Sequence, residues 1–555
     1  MSRRNLLSAL FASAGTAMVL AAVLTAPAVA APRGVTASKP DTALRGGTLR
    51  VNAHDTDFEF TDPGIAYDTL SWSLLYTTQM LLVNFPDKNG QAGSVLYPEA
   101  ATSFPAVSKD GKTYVFHIRP GLRFSDGSPV TAAAYQRAWE RNLSPKMGSP
   151  RGVNDQFQNV VVGAKAFNDG KADRISGITA KGLTLTFHLT KPNPTFVSFL
   201  GMQWFGAVKP DMPYTTSGVT GSYPSAGPYY IKSRELGKSL VEARNPYYRG
   251  TRPANPDKIV WTMNTDQDQG LLQVKSGQVD LDAGGPPATS NAQLGAQYGI
   301  NKTRFFVGPT SCVLYWALNT SRAPFSNLSY RKAMNWALDR PAMLRILGKY
   351  AGKRSDQILV PGVPGFKPYN LYAFRGANPA MAKKVSGGSI PGTVAVVHST
   401  SQTATNIAQV AEYNLSKLGV SFKDKPVPGS IYYNTLETRG ADFDMARAGW
   451  CADYFDPFDY INVNFDGRSI QERNNVNLSY LSSPKLNAAM DRAAALSGSA
   501  RASAYAALDR KIMADYAPWV PYGIVNDAFF VSTKVHNFVY SSYTGEPAFN
   551  ALSVG

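Results

Sequence analysis

Residues 442–459 read Asp-Phe-Asp-Met-Ala-Arg-Ala-Gly-Trp-Cys-Ala-Asp-Tyr-Phe-Asp-Pro-Phe-Asp. From Phe443 to Trp450 this is a strand of small residues, in which Ala446, Ala448 and Gly449 leave room for another backbone to approach. Period-two geometry puts Met445, Arg447, Gly449 and Cys451 on one side. The acids Asp453, Asp456 and Asp459 follow where the strand ends. In α/β folds the carboxyl ends of strands face the ligand crevice. A carboxylate there, flanked by Trp450, Tyr454 and Phe455, suits an ammonium group. Composition alone favours the other reading, a solvated acidic turn.

Outward from this stretch, strands and helices alternate. Ahead of it lie a strand at Gly392 to Val397, a helix at Ala404 to Leu418 and a short strand at Val420 to Phe422. Further upstream, Val313 to Leu318 is strand-like and Tyr330 to Leu338 is an amphipathic helix. Asp339-Arg340-Pro341 then starts a second helix with an acidic cap and a first-turn proline. Ile259 to Met263 is a strand, and Gln267 to Ser276 a helix that Gly277 can end in a left-handed turn. Val279 to Leu281 is another short strand. Alternation of this kind predicts parallel-rich α/β lobes. Nearer the start, Tyr114, Phe116 and Ile118 mark a strand, and Leu183 to Leu189 belongs to a further hairpin. Thr131 is placed to cap a helix from Ala132 to Arg141. A chain of 555 residues exceeds what one growing core supports, so two or three lobes are expected.

The first thirty residues form a signal peptide: Arg3 and Arg4, an apolar run from Leu6 to Leu24, and the small-x-small site Ala28-Val29-Ala30. The arginine pair also resembles a twin-arginine signal. The alternative is an uncleaved anchor, disfavoured by Ser13, Gly15 and Thr16 within the run. No cysteine stands near the cleavage site, so attachment through a lipidated N-terminal Cys is not expected. Residues 31–45 read as a flexible leader. Lys and Arg outnumber Asp and Glu by 56 to 39, but the positive charges are scattered. Nucleic-acid binding, which clusters them among aromatics, is therefore not expected.

Signatures of catalysis are missing. His54, His117, His188, His398 and His536 stand apart, and there is no HExxH, CxxC or GxSxG. Gly237-Lys238-Ser239 imitates the end of a phosphate loop, yet the required upstream glycine is Lys232. No catalytic residue, metal or cofactor is expected.

The run from Phe443 to Tyr454 resembles the binding segment of oligopeptide-binding proteins of ABC importers, the family 5 extracellular solute-binding proteins. Other patterns of that family stand in order along the chain: Gly46-Gly47-Thr48-Leu49, Phe124-Ser125-Asp126-Gly127, Ala226-Gly227-Pro228-Tyr229, Arg244 to Tyr248, Trp336 to Arg340 and Trp519-Val520-Pro521. The resemblance implies an α/β, type II periplasmic-binding-protein fold with two clamping lobes and an extra lobe. Residues 46–81, 206–310 and 521–555 would form lobe I, 82–205 the extra lobe II, and 311–520 lobe III. It implies a monomer, exported to the periplasm or the outer face of the envelope, or secreted, that closes around a short peptide and delivers it to a permease and ATPase.

By the same resemblance Asp453 receives the peptide's α-ammonium, with Gly449, Trp450 and Tyr454 beside it. Arg447 and Arg439 match positions that receive the ligand carboxylate, though each could instead pair with an internal acid. Cys312 and Cys451 stand in contexts like those of a disulfide in close relatives. Rival readings are a binding protein for a metal chelate, haem, sugar or opine, an extracellular peptide-sensing module, and a secreted hydrolase.

Overall fold

The computed structural model describes residues 45–55, 57–147, 157–372, 376–541 and 543–555. The signal peptide expected over 1–30, and all of the expected leader except Arg45, lie outside the described residues.

Three sheets organise the chain. The first runs in the order Leu281–Asp282, Thr48–Asn52, Lys258–Thr262, Ser239–Arg244, Tyr229–Glu235. Alternation builds it: Ile259 and Trp261 are buried, and Lys258 and Thr262 are exposed. The helix Gln267–Ser276 follows, started by Asp266, whose side chain accepts from the amides of Asp268 and Gln269, and ended by Gly277 at φ +73°. The third sheet is a four-stranded antiparallel unit, Ala106–Val107, Thr113–His117, Thr184–His188, Ile178–Lys181. Beneath it Trp139 stacks on Phe205 and meets Phe157, Phe187 and Phe196.

The second sheet positions the site. Its order is Gly352–Lys353, Trp519–Phe530, Phe305–Leu318, Met445–Cys451, Thr393–Ser399, Ser421–Val427. The two long strands connect different cores. At one end Phe305 and Phe530 join Leu271 and Val274; at the other Trp316, Leu318, Val520 and Tyr522 join the helices Leu328–Ala337 and Gln402–Ser416. Their pairing breaks register between Pro309 and Val313.

Two expectations need correction. The main sheets are mixed rather than parallel-rich. Parallel pairing is confined to the strands joined by helical crossovers, such as Thr393–Ser399 and Ser421–Val427, and to the partners of Thr48–Asn52 and the start of Met445–Cys451. Elsewhere tight hairpins, such as the Gly237 turn at φ +69°, or long returning strands impose antiparallel order. Thr131 does occupy the cap position of the helix Ala132–Leu143, but its hydroxyl makes no capping bond; its carbonyl accepts from Ala134 N–H at 3.0 Å instead. Among the described residues no helix is long and apolar enough to cross a membrane.

Candidate ligand-binding site

Along one side the strand Met445–Cys451 pairs fully with Phe305–Leu318, from Leu318 opposite Met445 to Cys312 opposite Cys451. On its other side, among the described residues, only Met445 and Ala446 have strand partners, Val396 and Val397. Beyond them the Tyr432 hydroxyl donates to the Arg447 carbonyl, and residues 449–451 border a cavity of about 400 Å³. That volume lies in the ~300–1,000 Å³ range of small-ligand sites. The expected disulfide is present between Cys312 and Cys451, whose Cα atoms are 4.0 Å apart. It clasps the end of this strand to its neighbour.

Past the disulfide the chain turns, and the three aspartates separate into three jobs. Asp453 is 6%, Asp456 8% and Asp459 0% exposed, so they are no solvated turn. Asp456 caps the helix Pro457–Phe465 through Phe458 N–H and pairs with Arg501 at 2.7 Å. Asp459 accepts from the Trp450 indole at 3.1 Å and from Asp453 N–H at 3.2 Å, which holds both residues in place. Asp453 is left facing the cavity. The Tyr67 hydroxyl lies 3.1 and 3.3 Å from its two carboxylate oxygens, and no Lys or Arg forms an ion pair with it among the described residues. Burial, only partly offset by the Tyr67 bond, pushes the Asp453 carboxyl up to about 7. Burial and then the neighbouring Asp453 raise Asp459 well above the carboxylate range. A desolvated acid without a counter-ion is poorly satisfied until a cation arrives.

The opposite wall comes from elsewhere in the chain. Tyr67 and Asp68 precede the helix Thr69–Thr78, with the Asp68 side chain accepting from Ser71 N–H, and Trp72 lies one turn in. Tyr315, Tyr433, Tyr543 and Asp527 also line the cavity. A larger cavity of about 770 Å³ lies among Phe85, Val95, Leu96, Val363 and Phe366, but among the described residues no ionisable side chain lines it.

Residues 95–472 match the family model of the bacterial extracellular solute-binding proteins, family 5. The chain belongs to this family. It is 24% identical over 551 residues to the periplasmic oligopeptide-binding protein OppA of Escherichia coli, covering 96% of this chain and 95% of that one. Among solved structures, clavulanic acid biosynthesis oligopeptide binding protein 2 superposes with a TM-score of 0.83 at 22% identity, covering 92% of this chain and 96% of the other. OppA of Haemophilus influenzae in complex with RPPGFSPFR superposes at 0.72 and 21%, covering 92% and 99%. These likenesses establish the mixed α/β fold of the family's binding proteins.

Within this family 5 protein, the anticipated site residues divide. Asp453, Trp450, Gly449 and Cys451 line the cavity together. Tyr454 points the other way: it is fully buried, with its ring 5.0 Å from Phe199. Arg447 donates to the Tyr522 hydroxyl at 3.0 Å and is not among the lining residues. Arg439 is exposed and lies 3.4 Å from Glu472. The cavity lining carries Glu59, Asp68, Glu437, Asp453 and Asp527 with no Lys or Arg among the described residues. Sequence reasoning missed Tyr67, Trp72, Tyr433, Tyr543 and Asp527. The one local signal was Asp68 ahead of an apolar helix, a cap pattern that marks a helix start without saying what it faces.

Proposed function

We propose that the protein is the solute-binding subunit of an ABC importer and captures short peptides, with Asp453 receiving the peptide's α-ammonium. The observation that carries this reading is a buried carboxylate, hydrogen-bonded by Tyr67 and backed by Asp459, that faces a small cavity lined by no Lys or Arg among the described residues. The unpaired edge at residues 449–451 supports backbone recognition, because an extended peptide can add to it as a strand. Gly449 offers that edge without a side chain in the way. Recognition of ammonium and backbone leaves the ligand's side chains loosely read, which suits a carrier of varied peptides.

Arg447 is the cation we assign to the ligand carboxylate. Support comes from its neighbour Tyr522, which also feels Tyr433 of the cavity wall. Arg439, exposed beside Glu472, has no such support. A haem or other polyanionic ligand would meet five acidic side chains in the cleft, which disfavours the non-peptide reading.

Residues 46–81, 206–310 and 521–555 as lobe I and 311–520 as lobe III would clamp the peptide, and 82–205 would form the extra lobe. The long strands Phe305–Leu318 and Trp519–Phe530 would carry the bending between them at the register break near Pro309. The protein acts as an exported monomer outside the cytoplasm, hands its cargo to a permease and ATPase, and does no chemistry on it.

Mass spectrometry of small molecules released on denaturing the purified protein tests this reading. Mixed intact short peptides are expected, and they should be absent from Asp453→Asn protein prepared in parallel. A single non-peptide compound would overturn the choice of cargo, and peptides shortened during incubation would point to hydrolysis.

A further inference from the structure

The chain carries 17 more positive than negative charges, yet both cavities at the site are acidic. A second cavity of about 410 Å³ adjoins the first, and Asp527 lines both. Glu546 lines the second. Neither cavity has a Lys or Arg among its described lining residues. The Glu546 Oε2 atom is shielded from solvent and accepts no hydrogen bond, and the buried Tyr540 hydroxyl beside these acids also lacks a partner. Nearby His54 is engaged by Asp282 at 2.6 Å. Burial alone raises the Asp527 carboxyl to about 7, and burial followed by Asp527 raises Glu546.

Two partly buried acids facing a shared space, with no Lys or Arg among its described lining residues, are the complement of a cation that comes from outside. Their supports are tied to the first site. Asp527 stands on Trp519–Phe530 opposite Gly308. Glu546 belongs to the small pairing of Tyr540–Ser541 with Glu546–Pro547. In the turn between those strands, the Tyr543 hydroxyl lies 3.1 Å from the Asp453 carbonyl. One hairpin thus spans the ammonium site and the second cavity.

We infer that Asp527 and Glu546 form a second subsite, which takes the protonated side chain of a lysine or arginine in the bound peptide. The inference rests on the peptide reading above and adds a preference to it: cargo with a basic side chain is selected over neutral cargo of the same shape.

Titration calorimetry with trialanine and with tripeptides carrying lysine or norleucine at each position in turn tests it, because norleucine keeps the aliphatic chain and removes the charge. Wild-type protein should prefer lysine over norleucine at one position by about tenfold or more, the scale of a charge-assisted hydrogen bond in a desolvated pocket. In Asp527→Asn/Glu546→Gln that ratio should fall to near one. Should the double variant not fold, Asp527→Asn alone gives the same readout with Glu546 left in its hairpin. If trialanine binds but lysine is favoured at no position, the subsite is refuted while the peptide reading stands, and the two acids simply share a proton. A preference that survives in the folded double variant also refutes it. If no peptide binds, the peptide reading fails and the subsite falls with it.

Discussion

Asp453 attracts an ammonium only when ionised, and its burial sets the pH at which that happens. A free aspartate titrates at about 3.9, whereas burial pushes the Asp453 carboxyl up to about 7 in the folded chain. Because the folded value is raised, this group's contribution to stability is fully present below the unfolded value and is lost as the pH rises through about 7. The ligand-free protein should therefore melt at a lower temperature at pH 8 than at pH 6 in part through this group, and Asp453→Asn should make that dependence shallower in thermal scans. Binding runs the opposite way. Below pH 7 an incoming ammonium must displace a proton, so peptide affinity should fall by up to about tenfold per pH unit, the limit for one linked proton. Calorimetry at pH 5.5, 6.5 and 7.5 checks this, and a flat profile would mean that Asp453 is already charged. Asp453 could be singled out from the sequence only through the family resemblance, because composition alone favoured a solvated turn and did not separate it from Asp456 and Asp459. Its partner Tyr67 could not be, since 386 residues separate them and only the assembled fold brings them together.

The strand Met445–Cys451 turns a sequence pattern into a binding edge. Its small residues allow close approach, its pairing with Thr393–Ser399 stops after Ala446, and the disulfide pins its far end. Free-thiol titration of the denatured, unreduced protein should find no reactive thiol. Replacing both cysteines with alanine should lower stability by at most ~5 kcal/mol, the loop-entropy ceiling for closing 139 residues, measured by denaturant unfolding. At Gly449 an added Cβ would lie 2.9 Å from the Leu314 Cδ2 atom and would crowd any backbone laid along the edge. Gly449→Val should keep the fold and weaken peptide binding tenfold or more, a direct test by calorimetry of strand addition. The strand's side-chain alternation was legible, which is why Gly449 and Cys451 were placed on one side together. The destination of Arg447 was not, because alternation gives a face without naming the residue, here Tyr522, that waits there.

At the scale of the molecule, two strands long enough to belong to two cores give closure a mechanical basis: each end packs into its own apolar cluster, and the register break lies between them. Peptide binding should reduce the radius of gyration in small-angle scattering, and no change would contradict a clamp. The α/β class and many element positions were legible because helix stops such as Gly277 and caps such as Asp339 act locally. Sheet order was not, since several pairings join strands more than a hundred residues apart, such as Phe305–Leu318 with Met445–Cys451 and Thr48–Asn52 with Lys258–Thr262. The acidic character of the cleft was hidden for the same reason, within a chain whose composition is basic.

The central claim is that a peptide's free amino terminus supplies the positive charge that the buried Asp453 lacks. Calorimetric titration of one tripeptide in two forms, free and N-acetylated, tests it most directly. Acetylation removes the charge and leaves Asp453 buried and unpaired, a loss on the order of 3–5 kcal/mol, or roughly a hundredfold to several thousandfold in Kd. Equal dissociation constants for the two forms would contradict the account.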